Sequence, residues 1–299
     1  MNKKVFVIVG PTSTGKTSLA LNLCKKFNGE IISADSRQIY KYMDIGTGKI
    51  PLNSKPDLTK IWGYDLVAPD QYFSAYDWAM DALQKASQLQ EQGKNIFLVG
   101  GTGLYIDIFT HRQDVANINP NKELRESLEN LSTEVLFSKL MSLNLQRSKN
   151  IDKQNKMRLI RAIEVEASNS KNTPLPYLAN AKFIFIGLTA ERSILYSHVD
   201  NWLEAIWKNG LLPEVSKLIN LGFETSPKLH GLVYKSVLAF MQKDLSESAA
   251  IERAKFDLHA YIRRQQTWFK RNTDINWFDI SQESYIKDIQ KLVESHVAN

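Results

Sequence analysis

The sequence predicts an α/β fold, a doubly wound parallel sheet with a helical insertion domain and a helical C-terminal part. Three observations carry this prediction. The apolar, β-branched run "VFVIV" (5–9) flows directly into "GPTSTGKTSL" (10–19), a phosphate-loop motif. Two more apolar runs, "EIISAD" (30–35) and "NIFLVGG" (95–101), alternate with helical patterns at short spacing. A fourth, "KFIFIGL" (182–188), returns after a long polar stretch with no strand candidates. Strands buried on both faces read as continuous apolar runs, and strands alternating with helices build parallel sheets. The phosphate loop makes the sheet one of the P-loop type.

Each element follows in chain order. The segment 5–9 is a strand buried on both faces. The loop after it fits G-x-x-x-x-G-K-[ST] at Gly10, Gly15, Lys16 and Thr17. A helix follows with Leu19, Leu23 and Phe27 at helical spacing, and Cys24 beside that stripe reads as core. The second strand ends on Asp35. Ser74 and Asp77 form a capping-box pattern that opens a helix running to Gly93. The third strand is 95–101. The chain is polar and helical from Lys122 to about Ser170, so 116–181 reads as a helical insertion domain. The core is then 1–115 plus 182–299. From 190 onward the pattern is helical, with a turn region at "NLGFETSPKLHG" (220–231).

The chain has 299 residues, 43% of them hydrophobic, and this is enough for one large domain or two unequal ones. No apolar run approaches the ~18 residues of a membrane span, so no membrane partner is expected. The N-terminal basic and apolar stretch runs straight into the phosphate loop without a small-residue cleavage site, which argues against a signal peptide. One cysteine cannot form an internal disulfide, so a reducing, cytoplasmic compartment is expected. A formal net charge of +6 is a mild pointer to a polyanionic partner.

In such sheets ligands bind at the carboxyl ends of the strands, and three ends carry signals. In the phosphate loop, backbone N–H groups face an anion, Lys16 adds a point charge and Thr17 offers a hydroxyl to Mg²⁺. Asp35, one residue past an apolar strand, suits a Mg²⁺ ligand, a general base or a turn cap. In "VGGTGLY" (99–105), two glycines permit close backbone approach to a ligand and Thr102 offers a hydroxyl. This last strand does not end in the aspartate that holds Mg²⁺ in many P-loop ATPases, which argues against ATP hydrolysis.

The blocks "GPTSTGKT", "IISADSRQIYKYMDIGTGK" and "LVGGTGLY", in this order and spacing, resemble the tRNA dimethylallyltransferase family. The resemblance extends through "MRLIRAIEV" (157–165), "NGLLPEV" (209–215) and "RRQQTWFKR" (263–271), and so spans most of the chain. It implies transfer of a dimethylallyl group from dimethylallyl diphosphate to the exocyclic amine of the tRNA adenosine 3′-adjacent to the anticodon. Gly10, Pro11, Thr12, Ser13, Thr14, Gly15, Lys16 and Thr17 would hold the leaving pyrophosphate, with Thr17 on Mg²⁺ or a phosphate oxygen. Asp35 would bind and deprotonate the amine. Asp35, Ser36, Arg37, Gln38 and Thr102 would contact the flipped-out adenosine and its neighbours. Arg125, Arg158 and Arg161 of the insertion would contact the anticodon stem-loop, the last two from one helix face. A monomeric, cytoplasmic enzyme is expected.

"RRQQTWFKR" interleaves aromatics with basic residues. Trp268 and Phe269 suit base stacking or the core, and burial habits favour the core. Two segments depart from the family pattern. "KIWGYDLV" (60–67) lacks the family's histidines, and "KLHGLVYKSV" (228–237) stands where the family has Arg-x-Val-Gly-Tyr-Arg. There Tyr234 and Lys235 keep the final pair in kind, Val233 replaces the glycine, and the arginine is lost. Two other enzymes share the fold and loop. A nucleoside or nucleotide kinase leaves "ADSRQIYK" unexplained. A free-adenylate isopentenyltransferase does not need the basic insertion helix.

Overall fold

The computed structural model describes residues 3–50, 60–168 and 173–297. The chain divides into two compact units, one of Met1–Gln113 with Pro176–Asn299 and the other of Asp114–Leu175. Residues 169–172, inside the predicted insertion, lie outside the described residues.

The first unit is built on a six-stranded sheet of order β3-β2-β4-β1-β5-β6, parallel throughout. Its strands are β1 (Lys3–Val9), β2 (Gly29–Ser33), β3 (Ile61–Trp62), β4 (Asn95–Val99), β5 (Ala181–Thr189) and β6 (Ile275–Asp279). β1 is central, with Val7 opposite Leu98 on one side and Phe185 on the other. This is why 5–9 is apolar without alternation: all five residues are fully buried.

Helices cover both faces. α1 (Lys16–Lys26) packs Leu19, Leu23 and the buried Cys24 against Phe6, Ile8 and Phe97, and α12 (Tyr285–Val297) adds Ile289 and Val293 to the same core. α2 (Ala75–Glu91) starts at Ser74, whose hydroxyl accepts from Asp77 N–H while the Asp77 carboxylate accepts from Ser74 N–H, a complete capping box. On that helix Trp78 stacks on Tyr105 of α3 (Gly103–Phe109) at 4.2 Å between centroids.

The second unit holds α4 (Lys122–Glu129), α5 (Thr133–Leu143), α6 (Leu145–Lys149) and α7 (Lys156–Ala167). Asn121, Ser132, Asn144 and Asn155 cap them in turn, and Leu128, Leu136, Leu140, Leu159 and Ile163 form their core.

The C-terminal part corrects the all-helical expectation for 190–299. It does contain α8 (Arg192–Ile206), α9 (Leu212–Asn220), α10 (Leu232–Met241) and α11 (Glu247–Phe269), but β6 intervenes before α12. β6 is a five-residue edge strand in which only Ile275 is fully buried, so it lacks the apolar run that marks the central strands. It docks over Gly187, the register partner of Trp277, where a Cβ would lie 2.4 Å from Ile275 Cγ2 and 2.6 Å from Trp277 Cε3. Between α8 and α9 the chain kinks at Asn209 and Gly210, and Gly210 takes φ 112. A side chain there is disfavoured twice over, by that φ and by Ile45 Cδ1 at 2.7 Å from a Cβ.

Candidate active site

β1, β2 and β4 bring their carboxyl ends to one cavity of about 310 Å³. The phosphate loop forms its floor. Gly10 takes φ 143, and a Cβ there would lie 2.4 Å from the Leu188 carbonyl oxygen, so only glycine lets the loop turn off β1. Gly15 begins α1 in the left-handed region with no side-chain cap, which leaves the first N–H groups of the helix open to an anion. Thr12, Ser13, Gly15, Lys16 and Thr17 line the cavity. Gly10, Pro11 and Thr14 stand behind that wall, and Thr14 Oγ1 donates to the Pro11 carbonyl at 2.9 Å.

Lys16 donates to the same Pro11 carbonyl at 2.6 Å. Burial brings its amine down to about 8, against the attraction of Asp35. Burial also raises the Asp35 carboxyl above its ordinary value, against the Arg37 N–H and the Lys16 charge. The pair therefore lies in a poorly solvated site, where each group gains from a partner that completes its charge.

Asp35 is both a cavity residue and a turn residue. Its Oδ1 accepts from Arg37 N–H at 2.8 Å and fixes the chain as it leaves β2. Arg37 lines the cavity and donates to the Lys228 carbonyl at 2.8 Å. Gln38 also lines it, but both ends of its amide are engaged: Oε1 accepts from Ser33 Oγ at 2.8 Å and Nε2 donates to Thr47 O at 3.2 Å. Ser36 and Thr102 bond to each other, Ser36 N–H donating to Thr102 Oγ1 at 2.9 Å. Thus 35–38 and 102 meet in space, with Asp35, Arg37 and Gln38 in the cavity wall.

Three further anchors escaped sequence reasoning. Gln265 of α11 is buried; its Oε1 accepts from Thr12 N–H at 2.9 Å and its Nε2 donates to Gly101 O at 3.0 Å, clamping the phosphate loop to the β4 end. Glu214 of α9, also buried, accepts from the N–H groups of Asp44, Ile45 and Gly46 at 2.8, 2.6 and 3.1 Å. Lys49 is buried and donates to Tyr40 O, Asp44 and Asp65. The last two hold the loop 44–49, whose Gly46, Thr47 and Gly48 line the cavity. "NGLLPEV" and "RRQQTWFKR" contained Glu214 and Gln265, but an uncharged amide among basics and an acid on a helix carry no periodic signal. In the second of these segments Phe269 is buried, and Trp268 packs against Gly103 and donates from Nε1 to Asp107 at 2.8 Å.

In the second unit, Arg125 and Arg161 converge on Glu164. Arg125 makes two bonds to it, both 2.9 Å, and Arg161 donates at 2.5 Å and also to Ile118 O at 2.6 Å. Burial opposes ionisation of Glu164, but these guanidiniums and the Asn121 N–H outweigh it and bring the carboxyl down to about 2. Arg158 is exposed and makes no side-chain hydrogen bond or ion pair among the described residues.

The IPP transferase family matches residues 38–272 of this chain. The tRNA dimethylallyltransferase of Thermoanaerobacter sp. (strain X514) is 35% identical, over 99% of this chain and 98% of its own. That of Acetivibrio thermocellus is 36% identical over 96% of each. Among solved structures, the tRNA isopentenylpyrophosphate transferase of Bacillus halodurans superposes with a TM-score of 0.73 at 31% identity, over 100% of this chain and 97% of its own. A eukaryotic dimethylallyltransferase acting on tRNA shares the fold, with a TM-score of 0.76 at 22% identity over 98% of this chain and 79% of its own.

Proposed function

This chain belongs to the IPP transferase family, the tRNA dimethylallyltransferases, and from that premise we propose that its cavity joins dimethylallyl diphosphate to a tRNA adenosine. The enzyme transfers the dimethylallyl group to the exocyclic amine of the adenosine 3′-adjacent to the anticodon and releases pyrophosphate. The observation that carries this reading is that Lys16 and Asp35 line one cavity, a cation for a leaving group and a carboxylate for an attacking amine.

The phosphate loop, 10–17, binds the diphosphate. Its N–H groups and Lys16 stabilise the charge that develops as the allylic C1–O bond breaks. The adenosine leaves its stack, because its amine cannot otherwise reach a carbon held inside the protein. The amine nitrogen bonds to C1, and its proton passes to Asp35, which burial makes a stronger base than an ordinary carboxylate. The Arg37 N–H holds Asp35 in place, and Arg37, Gln38, Ser36 and Thr102 shape the site of the base and its neighbours.

Mg²⁺ takes few protein ligands and prefers to share substrate phosphates. A single hydroxyl, Thr17, beside the diphosphate site fits that habit, and Asp35 lies in the same cavity. Thr17 would hold the ion, which would supply further charge to the departing pyrophosphate. Of the three insertion arginines, Arg158 is the most exposed and serves the tRNA backbone, while Arg125 and Arg161 are engaged with Glu164. The protein acts in the cytoplasm as a monomer, and no helix of the described residues is long and apolar enough to cross a membrane.

The deciding experiment incubates the protein with dimethylallyl diphosphate, Mg²⁺ and unmodified tRNA and analyses the nucleosides by mass. A dimethylallyl adduct on adenosine is expected. Its absence, with no thermal stabilisation by the prenyl donor, would overturn this reading.

A further inference from the structure

Trp202, Leu232, Leu258 and the rings of Tyr234 and Tyr261 give the cavity wall an apolar share. Tyr234 spends its hydroxyl on Glu214, so its ring offers carbon to the cavity. Leu232 is the unusual member. It sits at φ 49, in the left-handed region that residues with a Cβ disfavour. The preceding Gly231 is crowded by Arg37, whose Nη2 would lie 2.1 Å from a Cβ there, and Arg37 is itself tied to Lys228 O. The turn into α10 is thus held by a cavity residue, and it sets Leu232 into the wall. Backbone strain kept in place by its surroundings gathers at functional positions. Trp202 of α8 approaches Gly48, with Cζ2 3.8 Å from a Cβ position there.

The cavity is also small. A cavity of about 310 Å³ is at the small end of the ~300–1,000 Å³ range of ligand pockets. It must hold a diphosphate, a prenyl tail and the edge of an adenine together.

We propose that Leu232 and Trp202 set the length of the prenyl chain, closing the cavity behind a five-carbon tail and excluding a ten-carbon one. The inference rests on the dimethylallyl-transfer reading. It gives a role to the segment 228–237, whose departure from the family pattern that reading leaves unused. The bonds made and broken are the same for both donors: C1–O breaks, the adenine nitrogen bonds to C1, pyrophosphate leaves with the electron pair and the amine proton goes to Asp35. Only the room for the tail differs.

The test compares dimethylallyl and geranyl diphosphate as donors to unmodified tRNA, with adducts identified by nucleoside mass. Wild type, Leu232→Ala and Trp202→Ala are measured, together with Leu232→Gly, which relieves the strained φ and guards against misfolding of the alanine variant. Wild type should transfer the five-carbon group and strongly disfavour the ten-carbon one. The variants should raise the geranyl-to-dimethylallyl ratio of kcat/KM by about tenfold or more, in line with the ~10–200-fold that apolar pockets command per methylene. Inhibition by inorganic pyrophosphate should stay the same, because the phosphate loop is untouched. An unchanged ratio in folded variants, or a wild type that uses both donors equally, overturns the inference and leaves the transferase reading standing. A wild type that transfers neither group overturns both.

Discussion

The Tyr234 hydroxyl donates to Glu214 Oε1 at 2.8 Å, at a carboxylate that already accepts three backbone N–H groups from the loop 44–46. Four donors converge on one buried acid. None of them is a charged partner, so Glu214 is an acceptor hub and not half of an ion pair. Through it α9, α10 and a glycine-containing loop of the cavity wall become one body.

The two partners should therefore respond unequally to mutation. Glu214→Ala strands three loop N–H groups and the phenol, at ~1–3 kcal/mol for each buried donor left unpaired. Chemical denaturation should show a loss of about 3 kcal/mol or more. Tyr234→Phe removes one donor from an acid that keeps three, and should cost about 1 kcal/mol with the fold intact. Equal losses would mean that the phenol, not the loop, is what Glu214 serves.

Gln265 ties the phosphate loop to β4 through Thr12 N–H and Gly101 O. Gln265→Glu keeps the acceptor, loses the donor and brings negative charge to an anion-binding loop. Titration with the donor should show its affinity falling by about tenfold or more, in keeping with ~1.5–3 kcal/mol for hydrogen bonds that involve charged groups. The affinity for tRNA should hold. Loss of both together would point to collapse of α11 and not to a loosened loop.

Much of this was legible in the chain. The four apolar strands announce themselves because parallel strands buried on both faces need no polar alternation, and the Ser74–Asp77 box marks a helix start to the residue. β6 was not legible, because an edge strand with one buried residue depends on Gly187 in β5, 88 positions before its own Ile275. The phosphate loop and Asp35 could be read because each sits at the end of a legible strand. Gln265 and Glu214 could not, since their partners are backbone N–H and C=O groups that every residue carries.

The Lys16–Asp35 pair predicts the pH profile. Asp35 must be ionised to accept a proton, and its carboxyl lies above the ordinary value, so kcat/KM should fall on the acid side at a pH higher than a free carboxylate would give. Lys16 must be charged to meet the diphosphate, and with its pKa at about 8 the alkaline limb should begin there in the free enzyme. Donor binding above pH 8 should then take up a proton, measurable by calorimetry in buffers of differing ionisation enthalpy. Asp35→Asn should abolish the acid limb and lower turnover by ~10²–10⁴. Lys16→Ala and Thr17→Ala should weaken donor use more than tRNA binding, and the reverse ranking would remove the loop from the leaving-group role.

The arginines of the second unit separate a structural task from a binding one. Glu164 is held at about 2 by Arg125, Arg161 and the Asn121 N–H despite its burial. Its folded pKa lies below the ordinary 4.5, so the stability it lends is complete above 4.5 and is lost as pH falls through 4.5 toward 2. That loss is on the order of 3 kcal/mol. Arg125→Ala and Arg161→Ala should each weaken this acid-sensitive stability. Arg158→Ala should leave the melting temperature unchanged, because its guanidinium spends no bond on the fold. If Arg158 meets a phosphate, its loss should weaken tRNA binding at low salt and flatten the log–log salt dependence by about one unit or less. Donor affinity should not move, because the diphosphate is held by 10–17. The measurement is tRNA affinity across salt concentrations for wild type and Arg158→Ala. An unchanged slope would make Arg158 a solvated surface charge and turn the search for the tRNA contact to the exposed Arg264, Lys270 and Arg271 on and after α11.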